Sequence, residues 1–487
     1  MIAARSARRQ EVMRIDGLRR HSFVVRYLTL FGGEGFSKLC AFGAFAYLAR
    51  TLGPRSFGTV ELALSVTVFF VLGAESGLGS YGARLIEQSP HLAPKLIPQV
   101  AVLRAMLGIP AYLSILFVSE RYGMPGVGIL AIYGVLVLLT PFFTQWVFQG
   151  LRQMQWVAVA SSLRYGTFAA LVLLLIRKGS DTRLVALAEI LGAVAVVIFN
   201  AVIIRRVLRI RLDWRGAVSG AIGLVKHTWF LGASDLAWAA MWYSPSIIMG
   251  WVAITRLYQV AWVAAAVRIV MALHTFVWLY FFNMIPNLSK EIHEGLEGWR
   301  DLLARSMSTS MWAAWLIALG GTFFAPIIVE TAYGSNYVNA VLPFQIVIWM
   351  IPVAWFSGHY RFSLIASGHQ RLEFFASAAG GLVTVSAAIF EARWHGAPGA
   401  VASLLLGGIV NMLLAALAVH RVIGRVPIAP AATPVVSCIA AATVGVIVTY
   451  LVDPISGAVA AVLSYSVAAA SQWNFTRLKH AWEGRLI

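Results

Sequence analysis

Residues 182–204 read TRLVALAEILGAVAVVIFNAVII, and Arg183 and Glu189 are the only charged residues in this run. About 20 mainly apolar residues form a helix that crosses the hydrocarbon core of a bilayer. Comparable apolar runs fall near 22–49, 57–82, 94–119, 125–149, 155–176, 224–251, 256–286, 303–329, 336–366, 371–392, 397–420, 431–452 and 454–474. The pattern predicts a polytopic membrane protein with about fourteen transmembrane helices.

The composition of the chain excludes a soluble globular protein. Of 487 residues, 60% are hydrophobic and only 12% are charged, whereas soluble domains carry about 25% charged residues. So little polar surface cannot cover a globule of this size in water. The alternating ten-residue segments of an outer-membrane barrel are absent from the sequence. We therefore predict an all-α integral membrane protein.

The positive charge of the chain indicates membrane topology rather than a nucleic-acid partner. The formal net charge is +18, but Lys and Arg accumulate in cytoplasmic loops and contact anionic lipids. With a cytoplasmic N-terminus, 27 of these residues fall on the cytoplasmic side and 8 on the outer side. The other three, Lys38, Arg164 and Arg268, lie inside predicted helices. The bias predicts that both termini are cytoplasmic and that the number of spans is even.

The first apolar run is predicted to be a retained helix, and the cysteines are predicted to be inert. The run contains Glu34 and Lys38 and lacks a small-residue cleavage site, unlike a signal peptide. Cys40 and Cys438 lie in separate apolar segments, so we expect neither a disulfide nor redox chemistry. No His or carboxylate spacing typical of a metal site is present. We expect no cofactor beyond a coupling H+ or Na+.

A short internal sequence repeat divides the chain into two halves. Tyr122-Gly123 precedes Pro141, and Tyr333-Gly334 precedes Pro352, by the same nineteen residues counted from the tyrosine. Six predicted helices separate the two copies, so the halves share one orientation, and a substrate site is expected between them. The predicted division is a basic N-terminus 1–21, an N-lobe 22–204, a connector 205–223, a C-lobe 224–421, a loop 422–430, an appended helix pair 431–474 and a C-terminus 475–487.

Motifs of common enzymes are missing from the sequence. It contains no Walker loop, no HExxH and no GxSxG. The predicted loops are mostly short, which leaves no room for a soluble catalytic domain. A transporter is therefore favoured over an enzyme.

Charged side chains within the predicted helices are the candidate functional residues. Placing a charge at the centre of a membrane helix costs about 2.5–3.5 kcal/mol, so such residues usually face a cavity or a partner. Arg268 has no acid three or four residues away; it either pairs with an acid from another helix, such as Asp235, or binds a diphosphate. Arg164 either lines a cavity or snorkels to a nearby loop. Glu34 and Lys38 form an i, i+4 pair that is either self-satisfied or cavity-lining.

Other candidates are acids and aromatic side chains. Glu75, in the stretch Gly73-Ala74-Glu75-Ser76-Gly77, and Asp235 are candidate coupling residues together with Glu34. Trp238 and Trp242 are four residues apart on one helix and could stack on sugar rings. Trp146, Trp156, Trp229, Trp251, Trp278 and Trp299 lie near predicted span ends and are expected instead at the membrane interfaces.

The order of short motifs resembles the polysaccharide transporter family, the Wzx-type oligosaccharide flippases of the multidrug/oligosaccharidyl-lipid/polysaccharide exporter (MOP) superfamily. The matching stretches are Leu48-Ala49-Arg50-Thr51-Leu52-Gly53-Pro54 with Phe57-Gly58, Glu75-Ser76-Gly77-Leu78-Gly79 through Arg84, Gln145–Arg152, Ala266-Val267-Arg268-Ile269, Ile285–Ser289, Tyr333–Tyr337 and Trp394–Ala400. The resemblance covers roughly residues 22–425. It departs at Ser244-Pro245-Ser246, where the family often carries an acid, so that role is not transferred to Asp235.

The resemblance implies two six-helix lobes and an alternating-access flippase that carries an undecaprenyl-diphosphate-linked oligosaccharide to the periplasmic leaflet of the bacterial inner membrane. Arg268 would meet the diphosphate, in a cavity also lined by Arg164, Lys38 and Gln149. Membrane lipids, and a polymerase or ligase of the same pathway, are the expected partners. A lipid II flippase, a proton- or sodium-coupled drug antiporter and a non-transporting relative remain alternatives.

Overall fold

The structure is a computed structural model that describes the backbone of residues 2–121, 127–252 and 256–482. Side chains are described for residue 33 and for residues 35–117, 120–121, 128–252 and 256–472. Glu34, Tyr122, Gly123 and the side chains of the basic termini lie outside this part of the chain. The predictions made for them therefore stay predictions.

Every regular element in the described ranges is helical, which confirms the predicted all-α fold. The α-helices are α1 (Ile2–Glu75), α2 (Leu78–Gln88), α3 (Ala93–Arg121), α4 (Val127–Leu139), α5 (Gln145–Gly150), α6 (Met154–Leu175), α7 (Arg183–Val202), α8 (Ala217–Val252), α9 (Tyr258–Glu294), α10 (Leu296–Phe323), α11 (Ala325–Tyr333), α12 (Val341–Val347), α13 (Met350–Ala366), α14 (Gln370–Val422), α15 (Ala429–Leu451) and α16 (Pro454–Trp482). Pro90–Leu92, Thr140–Phe142 and Ser335–Ala340 form 3-10 helices, and Ile203–Val207 forms a π-helix.

Two glycines break the longest helices. Gly53 in α1 has φ 73° and is followed by Pro54, while Gly396 in α14 has φ 65° and lies two residues before Pro398. Glycine adopts positive φ without steric penalty, and proline is favoured near the start of the helix that follows. The breaks fall where the sequence predicted one span to end and the next to begin.

The protein is a multi-pass membrane protein. Within the described residues, ten helices are long and apolar enough to cross a membrane, or eleven if α10 and α11, bent by 75°, form one span. Two of the ten, Gly35–Gln88 and Gln370–Val422, have 54 and 53 residues. At 1.5 Å per residue, each is long enough for two crossings of a hydrocarbon core about 30 Å thick. The count of fourteen spans stays a prediction.

The chain forms two compact units. The first comprises Met1–Thr51 and Phe70–Asp235, and the second comprises Leu52–Phe69 and Leu236–Ile487. The unit boundaries lie inside α1 and α8 rather than in loops, so they differ from the lobe boundaries that we predicted from the sequence.

Each unit has its own apolar core. In the first unit, Trp146 packs with Leu78, Ile97 and Leu103. In the second unit, Phe281 and Trp299 lie in a larger buried cluster. The helices α15 and α16 pack against α10. The Tyr465 hydroxyl donates a hydrogen bond to the Trp312 carbonyl over 3.2 Å, which fixes the C-terminal pair within the second unit.

Cysteine labelling tests the predicted orientation. With Cys40 and Cys438 replaced by alanine, Lys178→Cys should react with a membrane-impermeant maleimide in intact cells, because the loop at 178 is predicted to be outside. Arg211→Cys should react only after permeabilisation. Both positions are exposed, so accessibility within the protein is matched. The opposite labelling pattern would reverse the assigned orientation.

Candidate functional site

The first unit buries an arginine against a carboxylate at the end of α1. Arg104 of α3 is 1% exposed, and its Nη2 donates a hydrogen bond to Glu75 Oε1 over 2.8 Å. Its Nη1 donates to the carbonyl oxygens of Thr140 and Phe143, at 3.2 and 2.7 Å. These carbonyls belong to the 3-10 helix and to the residue that caps it. The positive charge is thus stabilised by one carboxylate and two backbone dipoles.

Asp235 of α8 joins Glu75 in this region. Asp235 interacts electrostatically with Glu75 and with the backbone N–H of Gly77. The contact depends on close packing one turn earlier, because a Cβ atom at Gly232 would lie 2.4 Å from Ser76 Oγ. We call Glu75, Arg104 and Asp235 the acidic cluster. With all three groups ionised it carries one more negative than positive charge, a balance suited to binding a proton or a small cation.

Arg164 lies near the acidic cluster within the first unit. Its Nη2 is 4.0 Å from Glu189 Oε1, and its side chain is 27% exposed. The guanidinium carbon lies 5.4 Å from the ring centroid of Phe143 and 5.5 Å from that of Tyr165. Cation–π contact of this kind stabilises a guanidinium that is largely removed from water. Phe143 therefore contacts both arginines, Arg104 through its carbonyl and Arg164 through its ring.

The second unit contains the ion pair of Arg268 and Glu61. Arg268 Nε of α9 donates a hydrogen bond to Glu61 Oε1 over 2.8 Å, and Arg268 Nη2 lies 2.6 Å from the same oxygen. The side chains are 22% and 5% exposed. The partner is therefore Glu61 and not Asp235, the acid that we considered from the sequence. Arg268 retains partial exposure, whereas Glu61 is almost completely enclosed.

Aromatic side chains surround this ion pair. The rings of Tyr333 and Tyr337 are 5.5 Å apart, and both hydroxyls interact electrostatically with Glu61. The Tyr333 hydroxyl donates to the Ala265 carbonyl over 3.1 Å, which ties the end of α11 to α9. The side chains of the pair are 22% and 5% exposed, so the pair is largely shielded from solvent and its Coulomb attraction is stronger than at the surface. We call Glu61, Arg268, Tyr333 and Tyr337 the arginine cluster.

The other residues proposed from the sequence belong to neither of these two clusters. Lys38 and Gln149 are exposed. Trp238 and Trp242 lie 6.3 Å apart between ring centroids. Trp242 is 1% exposed and packs 4.9 Å from the His274 ring. A sugar therefore cannot reach the faces of Trp242 in this conformation, because the helix turns that ring into the protein; Trp238 is only partly buried.

The sequence analysis did not select two arginines that form ion pairs within helices. Arg104 and Arg361 were counted with the cytoplasmic charges, but Arg104 is buried in α3 and Arg361 of α13 donates to Glu373 Oε1 over 2.8 Å. Both lie within apolar runs, the same signal that selected Arg268. Removing them leaves 25 cytoplasmic against 8 outer basic residues, so the predicted orientation is unchanged.

Comparison with protein-family models shows which family the chain belongs to. The family model described as "Polysaccharide biosynthesis protein" matches residues 26–292, more than half of the 487 residues. The chain belongs to this family, which confirms the resemblance seen in its motifs. No curated protein sequence matches the chain.

Solved structures show the same fold. The lipid II flippase MurJ in an inward closed conformation aligns with a TM-score of 0.70 and 13% identity, over 92% of this chain and 99% of its own. An inward-facing multidrug resistance MATE family transporter of the MOP superfamily aligns with a TM-score of 0.64 and 15% identity, over 80% of this chain and 94% of its own. A MOP superfamily transporter from Pyrococcus furiosus aligns with a TM-score of 0.55 and 16% identity, over 81% of this chain and 93% of its own. The chain has the fold of MOP superfamily transporters.

Replacing Arg104 by alanine should destabilise the protein, because Glu75 would lose its counter-charge inside the membrane. Breaking a fully buried pair costs about 3–5 kcal/mol, and the cost is smaller here because Glu75 is 39% exposed. We expect a fall of several degrees in the thermal unfolding midpoint of purified protein. The control is Arg152→Ala, which breaks an ion pair of the same 2.8 Å length with Glu87 whose side chains are 77% and 49% exposed. Such pairs contribute about 0–1 kcal/mol, so equal midpoint shifts for both variants would contradict the assignment.

Proposed function

We propose that the protein is a flippase, not an enzyme, that moves an undecaprenyl-diphosphate-linked oligosaccharide from the cytoplasmic to the periplasmic leaflet of the bacterial inner membrane. The step would serve cell-surface polysaccharide synthesis and would work by alternating access. Family membership and the MOP superfamily fold support a lipid-linked substrate. The observation that carries the proposal is the partly exposed Arg268, held against the buried Glu61 within that fold.

Arg268 is suited to bind the diphosphate by exchange of anions. Glu61 occupies the Nε and Nη2 donors of the guanidinium. Phosphate oxygens bind arginine through the same pair of donors and carry more charge than a carboxylate. A diphosphate that reaches Arg268 would displace Glu61, and the original pair would re-form after release. Arg268 would thus bind either Glu61 or the diphosphate. If the diphosphate is bound more tightly in the transporting conformation, substrate binding shifts the population towards that conformation.

The acidic cluster is suited to couple transport to an ion gradient. Arg104 pairs with Glu75, and Asp235 interacts with the same Glu75 carboxylate. Uptake of H+ or Na+ would neutralise the surplus negative charge, and its release would restore it. A change of one charge in this position alters the relative stability of two conformations. Glu34 stays a further candidate for the same role.

A lipid II flippase is the second candidate function. The alignment with the lipid II flippase over 92% of this chain favours it. Both substrates carry a polyprenyl diphosphate, so the role of Arg268 would be the same and the headgroup sugar would differ. A drug antiporter has less support, because Arg268 favours anions over cationic drugs. Translocation of lipid-linked oligosaccharide, lipid II and a cationic dye in matched proteoliposomes separates the three.

Neutral replacement of the ion pair of Glu61 and Arg268 should strongly reduce translocation. In proteoliposomes with a lipid-linked oligosaccharide, Glu61→Gln/Arg268→Gln should reduce the rate at least tenfold, because the amides stay polar but cannot bind a diphosphate as a cation does. The control is Arg361→Gln/Glu373→Gln, another ion pair of the second unit, with side-chain exposures of 23% and 11% against 22% and 5%. The control should keep more than half of the rate. Normal translocation by the first variant, at normal expression, would refute the role of Arg268.

Replacing Asp235 by asparagine should uncouple transport from its gradient. The variant should translocate at a rate that no longer responds to an imposed pH or Na+ gradient, since the cluster would be neutral throughout. Glu87→Gln, an exposed acid of the same unit, should respond as the unmodified protein does. An unchanged response of the Asp235 variant to both gradients would remove this residue from the coupling mechanism.

A further inference from the structure

A groove of about 1150 Å³ lies within the second unit, and none of the clustered charges described above lines it. It is formed by the end of α8, the start of α9, the region from α11 to α12 and the turn at Gly396 in α14. Its wall includes Trp251, Arg256, Gln259, Asn339, Arg393 and Trp394. Concave sites for small molecules usually measure about 300–1,000 Å³. This groove is therefore large enough for several linked sugar rings.

The turn at Gly396 builds one wall of the groove. Gln259 Oε1 accepts a hydrogen bond from the Ala397 backbone N–H over 3.1 Å. A Cβ atom at Gly396, whose φ is +65°, would lie 2.4 Å from that same oxygen. Only glycine allows the turn to approach α9 this closely. The contact holds Arg393 and Trp394, which immediately precede the turn, beside the start of α9.

Two arginines of the groove lack an ion-pair partner among the described residues. Arg256 and Arg393 are both exposed. Among the described residues, no carboxylate oxygen lies within 4.0 Å of either guanidinium. The groove lining includes no Asp or Glu. This contrasts with Arg104, Arg268 and Arg361, each of which contacts a carboxylate. Two such arginines favour an anionic ligand.

Aromatic rings and amides complete the lining. Trp394 and Trp251 are 79% and 59% exposed. Trp262 is partly buried against Tyr258 at 4.9 Å between ring centroids. Indole faces stack on the apolar faces of sugar rings, and amides such as Gln259 hydrogen-bond to hydroxyls. An interfacial belt would explain the tryptophans alone. It would not explain their convergence with two arginines and three amides on one concave surface.

We propose that this groove binds an acidic oligosaccharide, a chain of sugars that bear carboxylates. The ligand class rests on the proposed function, and the loops that carry Arg256 and Arg393 are predicted to lie outside. The groove would hold the glycan portion once it has reached the outer side, with indoles against ring faces and arginines on carboxylates. Retention there would disfavour the return of the glycan across the membrane.

Binding of a soluble probe tests the groove apart from transport. The probe is tetragalacturonate, with its fully methyl-esterified form as the uncharged control, titrated into purified protein by calorimetry. We expect the ester to bind at least tenfold more weakly than the acid. Arg256→Gln/Arg393→Gln should weaken acid binding at least tenfold, whereas Arg177→Gln/Arg183→Gln, two exposed arginines also predicted to be outside, should leave it within twofold.

Two further measurements fix the location and separate this proposal from the transport function. Tetragalacturonate should slow maleimide labelling of Asn339→Cys in intact cells, on a background without Cys40 and Cys438. Glu61→Gln/Arg268→Gln should still bind the probe while losing translocation. Unmodified protein that binds the probe but flips no lipid-linked glycan would refute the transport function alone. Equal binding of acid and ester, wild-type binding by the groove variant, or occupancy by phosphatidylglycerol in place of the probe would overturn the groove proposal.

Discussion

The ion pair of Glu61 and Arg268 is the contact on which the second unit depends. A charge inside a membrane protein is stable only if another charge or a polar cavity compensates it. Glu61 is 5% exposed and lies in the segment of α1 that belongs to the second unit. Its carboxylate therefore fixes that segment to α9 and at the same time occupies the donors of Arg268. Any anion that binds this arginine must replace an interaction that also stabilises the fold.

The two charge clusters differ in their ratio of negative to positive groups. The arginine cluster pairs one cation with one anion and places two tyrosine hydroxyls near them. The acidic cluster sets two carboxylates against one guanidinium. A balanced pair can exchange one anion for another, whereas a surplus carboxylate attracts a cation. In the proposed mechanism, substrate binding and ion coupling would therefore fall in separate units of one chain.

The sequence predicted features that depend on neighbouring residues and missed those that depend on long-range packing. The apolar runs predicted the helices and the breaks near 53 and 396, because hydrophobic length is a local property. Arg268 stood out for the same reason. The pairing of Arg268 with Glu61 could not be predicted, since Glu61 is 207 residues away along the chain. Trp242 was selected by its spacing from Trp238, but which face of a helix is buried depends on its neighbours. The groove brings together residues from 251 to 398 and has no sequence signature.

Phe143 makes one contact through its backbone and another through its side chain. Its carbonyl, which every residue possesses, accepts a hydrogen bond from Arg104, while its ring, which only an aromatic residue supplies, lies beside Arg164. Substitution by an aliphatic residue would remove the second contact and preserve the first. A shift of the backbone would instead affect both arginines together. Mutations at these three positions should therefore be non-additive, because Phe143 links the two arginines through one residue.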